Sequence, residues 1–162
     1  MQLKQLNFKQ LARLHPKLTV QKKATGNLMY TAKIGDFCPA GLEKMLLLYP
    51  IHVIKQKEAD NNYDVVAGLR QYELLSVYNA LQDNKENVLQ TINVIEHDKL
   101  TAREINTLAC CDIAGGALIF SLGAKIAAQL EIIKNSLDPE IVQLFPKYSS
   151  GRRMADRDKN EG

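Results

Sequence analysis

Short apolar runs bounded by polar residues or proline predict three strands in the middle of the chain. Residues 51–54 form a β-rich run directly after Pro50, and residues 63–67 form a second run of the same kind. The polar cluster at residues 60–62 is typical of a turn between them. Residues 91–95 complete the set.

Helical periodicity follows each of the last two predicted strands. Beyond Gly68, apolar side chains recur at the spacing of one helix face, at Leu74, Leu75, Tyr78 and Leu81. After the third strand, Thr101 and Glu104 have the spacing of a capping box, in which each residue satisfies a backbone N–H of the first helical turn. The pattern predicts one helix after Gly68 and another beginning at Thr101.

The two ends of the chain give less regular patterns. A short helix is predicted over residues 41–48, a longer one over 113–133, and a last one begins near Pro139. The first 35 residues hold no single period. A brief helix over 8–14 and short strands at 18–20 and 28–32 are the interpretations that fit them.

Interleaved strands and helices predict an α/β or α+β class, with helices around a small mixed β-sheet. A length of 162 residues suits a single domain, which we assign to residues 1–148. From residue 149 onward the sequence is polar and holds almost no apolar side chain, so that we expect a disordered tail over 149–162.

Composition indicates an ordinary globular protein, with 46% hydrophobic and 24% charged residues. The start has no apolar run suited to a signal peptide. The most apolar stretch, residues 113–124, is too short to cross a bilayer as a helix. We therefore expect a cytoplasmic protein with no membrane partner.

Charge is unevenly distributed along the chain. The net charge is +3, yet the first 35 residues hold seven Lys or Arg and no acid, which leaves −4 for the remainder. Such asymmetry can indicate a face for nucleic acid, for which the candidate residues are Lys17, Lys22, Lys23 and Lys33. A solvated basic face without a partner is the alternative.

Metal and thiol chemistry find little support in the sequence. The three cysteines, Cys38, Cys110 and Cys111, contain no CxxC pair, and no zinc-ligand spacing joins them to a histidine. No metal site is predicted, and no catalytic residue is assigned.

One stretch carries a family resemblance. Pro50-Ile51-His52-Val53 and Tyr63-Asp64-Val65-Val66-Ala67-Gly68, followed by Leu69-Arg70-Gln71 at a helix start, resemble the strand, hairpin, strand and arginine-containing helix start of the ParB/sulfiredoxin superfamily. The resemblance covers roughly residues 45–112. It implies a ParB/sulfiredoxin-like fold and a phosphate or nucleotide site at this corner, in the setting of plasmid or mobile-element biology.

The corner has a physical basis for binding phosphate. The backbone N–H groups at a helix start lack intrahelical partners and carry partial positive charge. Gly68 permits close approach of an anion, and the guanidinium of Arg70 suits phosphate. The predicted phosphate-binding residues are Gly68, Leu69, Arg70 and Gln71. The alternative is a plain strand-to-helix turn in which Arg70 pairs with an acid, for which Glu73 is one turn away.

Departures from the family pattern leave three hypotheses open. ParB proteins carry Gly-Glu-Arg-Arg at this corner, and sulfiredoxins place their catalytic cysteine after the glycine, where this chain has Leu69. The first hypothesis is a module that binds DNA or a nucleotide. The second is a degenerate nucleotidase or nuclease that uses a nucleotide with Mg²⁺. The third is a non-catalytic protein-interaction domain, with a homodimer contact through residues 113–133.

Overall fold

The computed structural model describes residues 1–19, 21, 34–59, 61–81 and 90–116. Within these residues the chain forms five strands, β1 to β5, and three helices, α1 to α3. The strands are β1 (Gln2–Asn7), β2 (Leu11–Leu14), β3 (Ile51–Lys55), β4 (Tyr63–Ala67) and β5 (Thr91–His97). The helices are α1 (Pro39–Leu48), α2 (Leu69–Leu81) and α3 (Ala102–Cys110).

The five strands form one mixed sheet in the order β1-β5-β3-β4-β2. β3 and β4 are an antiparallel hairpin, while β3 pairs with β5 and β4 pairs with β2 in parallel. β1 pairs antiparallel with β5 and lies at one end of the described sheet. Local hairpin and long-range parallel contacts therefore meet at β3 and β4.

The core lies against the central strands. Every residue of β4 is buried, whereas β3 and β5 alternate between buried and partly buried positions. Leu75 and Tyr78 of α2 and Ile105 and Ala109 of α3 belong to the same core cluster as the strands. Because β4 is buried along its whole length, the junction between the end of β4 and the start of α2 is held by the core.

The predicted fold class, a small mixed sheet with helices around it, is confirmed. The predicted strands at 51–54, 63–67 and 91–95 correspond to β3, β4 and β5, and the helix after Gly68 is α2. The capping box of Thr101 and Glu104 is present at the start of α3.

Two predictions in the first segment are wrong. The expected helix over 8–14 is a 3₁₀ turn at Phe8–Gln10 followed by β2, because residues 11–14 pair in parallel with β4. The expected strand at 18–20 begins inside a second 3₁₀ turn, Pro16–Leu18, where Pro16 occupies the first turn and the His15 side chain accepts the Lys17 N–H. Pairing with β4 therefore makes residues 11–14 a strand, and the His15 cap makes residues 16–18 a 3₁₀ turn.

Several other predictions lie outside the described residues. These are the strand at 28–32, the greater part of the helix over 113–133, the helix near Pro139 and the tail over 149–162. No helix in the described part of the chain is long and apolar enough to span a membrane.

Candidate functional site

The chain turns sharply at Gly68, between the end of β4 and the start of α2. Gly68 has φ of 76°, a left-handed conformation that L side chains rarely adopt. A Cβ at this position would lie 2.9 Å from the Cα of Ile51 and 3.3 Å from the carbonyl oxygen of Pro50. Both backbone conformation and close packing therefore require glycine here.

The N–H groups exposed by this turn converge on one anion. The backbone nitrogens of Gly68 and Leu69 both donate to Oδ2 of Asp112, at 2.9 Å and 3.0 Å. Asp112 lies in a π-helical turn, Cys111–Gly115, that directly follows α3. The predicted anion-binding corner thus holds a carboxylate that comes from the chain itself.

Arg70 lies in the first turn of α2 and forms an ion pair. Its Nη1 donates to Oε2 of Glu73 at 2.7 Å, which is the pairing expected under the alternative interpretation of the corner. The Arg70 side chain is 22% exposed and that of Glu73 is 55% exposed. Of the predicted phosphate-binding residues, Gly68 and Leu69 contribute backbone donors to the corner, Leu69 is buried, and Gln71 is partly buried beside Arg70.

A groove of about 700 Å³ runs beside this corner. One wall is formed by β2 and the 3₁₀ turn that follows it, and the other by the exposed side of α2. Its polar and aromatic lining comes from Arg13, His15, Thr19, Tyr72, Glu73 and Ser76. Leu69 also lines the groove and is one of the two residues that donate to Asp112. Leu69 is thus the residue that the corner and the groove share, whereas Gly68, Arg70, Gln71 and Asp112 are not part of the groove lining.

Hydrogen bonds hold the groove wall in place. Nε of Arg13 lies 3.3 Å from Oδ1 of Asp64, a buried carboxylate of β4 that also accepts a bond from Gln56. Burial lowers the pKa of His15 below its ordinary value, so that the ring is predominantly neutral at pH 7. Ser76 donates its hydroxyl to the backbone carbonyl of Tyr72. The wall presents a cation, a neutral imidazole and a hydroxyl.

A pair of histidines lies on the neighbouring strands β3 and β5. Nδ1 of His52 is 3.0 Å from Nε2 of His97, and the ring planes differ by 27°. Burial is the main cause that lowers the pKa of each ring, with His97 lowering that of His52 further and the charge of Asp112 opposing it. The sequence offered no signal for this pair, because parallel pairing joins residues 45 positions apart.

The remaining candidates are dispersed. Lys17 is exposed on the Pro16–Leu18 turn, and the other predicted nucleic-acid residues, Lys22, Lys23 and Lys33, lie outside the described residues. Among the residues that the structure describes, no group of three or more His, Cys, Asp or Glu side chains is arranged to hold a metal ion. The three cysteines are free.

Comparison with known proteins gives a structural likeness at low sequence identity. Neither a protein-family model nor a curated protein sequence matches the chain. The fold is similar to the crystal structure of the C-terminally truncated chromosome-partitioning protein ParB from Caulobacter crescentus complexed with CTP-γ-S. The TM-score is 0.45 at 13% identity, over 71% of this chain and 54% of that chain. This chain therefore spans about half the length of that truncated chain.

Proposed function

We propose that this chain is a phosphate-binding module whose ligand is a nucleotide. The observation that carries the proposal is the convergence of the Gly68 and Leu69 N–H groups on a single carboxylate oxygen. Two backbone donors at a helix start that stabilise a carboxylate have the geometry to stabilise a phosphate oxygen in its place. The four residues 68–71 form the proposed phosphate end of the site.

The adjoining groove supplies space for the rest of the ligand. Small-molecule sites typically measure about 300–1,000 Å³, and this groove, at about 700 Å³, lies within that range. Tyr72 and His15 offer ring faces for a base, while Thr19 and Ser76 offer hydroxyls for a sugar or base edge. Arg13 adds a cation to the same wall.

The ion pair at the corner is compatible with ligand binding. The Glu73 side chain is 55% exposed, so that its carboxylate can turn to solvent when Arg70 contacts a phosphate. Any Mg²⁺ would arrive with the nucleotide, held by its phosphates. The proposal concerns binding and assigns no turnover.

Nucleic acid is the second candidate, supported by the exposed Lys17 on the turn that borders the groove and by seven basic residues in the first 35. A nucleic-acid backbone bound by several Lys and Arg residues would give an affinity that falls steeply with salt. A mononucleotide held in a groove would depend less on salt.

The test is a titration of the purified protein with fluorescent CTP, ATP and GTP and with short single-stranded and duplex DNA, at two salt concentrations. Arg70→Ala is compared with Arg103→Ala, which removes an exposed arginine from α3 outside the groove lining. We expect nucleotide binding that Arg70→Ala weakens about tenfold and Arg103→Ala leaves unchanged, in line with the loss of about 1.5 kcal/mol for a charged hydrogen bond.

Ser76→Leu probes the groove separately, because the larger side chain projects into the space proposed for the ligand. It should weaken nucleotide binding without changing the melting temperature by more than a few degrees. Binding that neither Arg70→Ala nor Ser76→Leu affects, or no binding of any nucleotide or DNA, would contradict the proposed site.

A further inference from the structure

Asp112 occupies the position that a ligand phosphate would take. Its Oδ2 accepts both N–H bonds of the corner, and it reaches them from 43 and 44 residues further along the chain. A helix is usually capped by a residue directly before its first turn. Here Gly68 precedes α2 and has no side chain, so the cap of α2 is a tertiary contact.

The segment that carries Asp112 is itself irregular. Cys111–Gly115 forms a π-helical turn, a rare conformation that is most often met as a single turn within an α-helix. Gly115 and Gly116 follow within the same stretch, and a Cβ on either would meet nothing within 4 Å. Glycine in helical conformation lowers helix stability by roughly 1 kcal/mol relative to alanine, so this turn is weakly held by its own backbone.

Simultaneous occupation of the corner by Asp112 and a phosphate is unfavourable. Both groups are anions, and both would need the same two N–H donors at about 2.9 Å. Two negative charges that share these donors would repel strongly in a partly buried site. Binding of one group therefore requires the departure of the other.

From this exclusion, and on the basis of the proposed function, we propose that Asp112 is an internal competitor that closes the phosphate corner in the ligand-free protein. A nucleotide phosphate displaces the carboxylate and takes over the N–H groups of Gly68 and Leu69. Displacement releases the π-helical turn from the start of α2. Ligand binding is thereby coupled to the position of Cys111–Gly115 relative to α2.

The competition has a measurable size. When only a fraction of molecules is competent to bind, the apparent dissociation constant rises by the reciprocal of that fraction. A corner that is open in about one molecule in ten would bind phosphate about tenfold more weakly than a corner without the competitor. Asp112 thereby sets the ligand concentration at which the site responds.

The experiment compares the wild-type protein with Asp112→Asn and Asp112→Ala. Pyrophosphate and CTP are titrated while the ¹⁵N amide signals of Gly68 and Leu69 are followed by NMR. Asparagine keeps the shape and one acceptor oxygen, and it caps helices as well as aspartate does, so Asp112→Asn should preserve the fold. The control is Glu58→Gln, which removes an exposed carboxylate from the β3–β4 turn, at the opposite end of β4 from Gly68.

We expect Asp112→Ala, which removes the competing acceptor, to bind pyrophosphate about tenfold more tightly than the wild type, and Glu58→Gln to match the wild type. Asp112→Asn keeps a neutral acceptor at the corner and loses only the charge repulsion, so its gain should be smaller. The two amide signals should shift on ligand addition. Tighter binding in Asp112→Asn alone is sufficient support if Asp112→Ala does not fold.

The contrary outcomes separate the two proposals. If the wild type binds and shifts both amides while neither Asp112→Ala nor Asp112→Asn binds more tightly, the competitor role is wrong and the proposed function stands. If neither the wild type nor any variant binds pyrophosphate or CTP, both are wrong. Equal gains in Asp112→Asn and Glu58→Gln would reflect overall charge and would also overturn the competitor role.

Discussion

His52 and His97 approach each other to 3.0 Å between Nδ1 and Nε2, from adjacent parallel strands of the same sheet. The ring centroids are 5.3 Å apart, so the two nitrogens face each other along the line that joins the rings. A hydrogen bond in this arrangement needs one nitrogen with a proton and one without. The contact is therefore satisfied with both rings neutral and disfavoured with both rings charged.

This pair predicts a loss of stability in mild acid. Burial lowers the pKa of both rings below the ordinary value of 6.5, so the unfolded chain takes up protons at a higher pH than the folded chain. The free energy of unfolding should be highest above pH 6.5 and should decline as the pH falls toward the lowered pKa values. Urea unfolding at pH 7.5, 6.5 and 5.5 measures the slope.

The variant His97→Gln separates this pair from other groups that titrate. It leaves His52 without an imidazole partner, and the decline between pH 6.5 and 5.5 should become shallower. His15, whose pKa is also lowered by burial, stays in both proteins and contributes the remaining slope. An unchanged slope in His97→Gln would show that the pair does not titrate in this range.

Gly68→Ala should destabilise the protein by at least about 2 kcal/mol. Left-handed backbone costs an L residue roughly 1–2 kcal/mol, and the added Cβ would press on the backbone of Ile51 at 2.9 Å. Gly116→Ala is the matched control, because its φ of −58° is helical and a Cβ there meets nothing within 4 Å. Chemical denaturation of both variants tests the prediction, and equal stabilities would contradict it.

Thr101→Ala should remove the cap of α3 at a loss of about 1 kcal/mol in unfolding free energy. Thr101 Oγ1 accepts the Glu104 N–H, and Oε2 of Glu104 accepts the Thr101 N–H at 2.7 Å. Thr107→Ala, at an exposed position of the same helix, is the control. Bonds from the backbone N–H and the hydroxyl of Thr101 lower the pKa of Glu104 below its ordinary value of 4.5. The stabilisation by the ionised Glu104 carboxylate should therefore be present at neutral pH and lost as the pH falls below 4.5.

Lys4→Met should destabilise the edge of the sheet by about 2 kcal/mol. Nζ of Lys4 lies 2.9 Å from Oε2 of Glu96 and donates to the hydroxyl of Tyr63 at 2.6 Å. Glu96 is buried, and among the described residues the bond from Gln2 would be the one left to its charge without Lys4. Lys9→Met, at an exposed position, should leave stability unchanged, and thermal unfolding of the two variants provides the comparison.

Features that depend on neighbours in sequence were predictable. Gly68 and the capping box of Thr101 and Glu104 were identified because both are local backbone requirements. The whole of β2 fell within the helix predicted over 8–14, because its strand character comes from parallel pairing with β4, about 50 residues away. No local pattern encodes such a pairing.

The occupant of the corner could not be predicted for the same reason. The sequence indicated that the N–H groups at Gly68 would attract an anion, but Asp112 meets them only after α3 has packed against β4. The sequence also offered Glu73 as a partner for Arg70, and the structure confirms that pair because one helical turn joins them. Contacts within a turn follow from spacing, whereas contacts between elements follow from the completed fold.

The pairing of β1 with β5 has a consequence for biosynthesis. Gln2 is aligned with Glu96, so β1 waits for 94 further residues to be made before its partner strand β5 is available. At about 5–20 residues per second, that wait lasts roughly 5–20 seconds. During this interval the hairpin of β3 and β4 can form alone, while Leu3 and Leu6 are available to chaperones or to other nascent chains. Pairing of β1 therefore depends on the synthesis of β5.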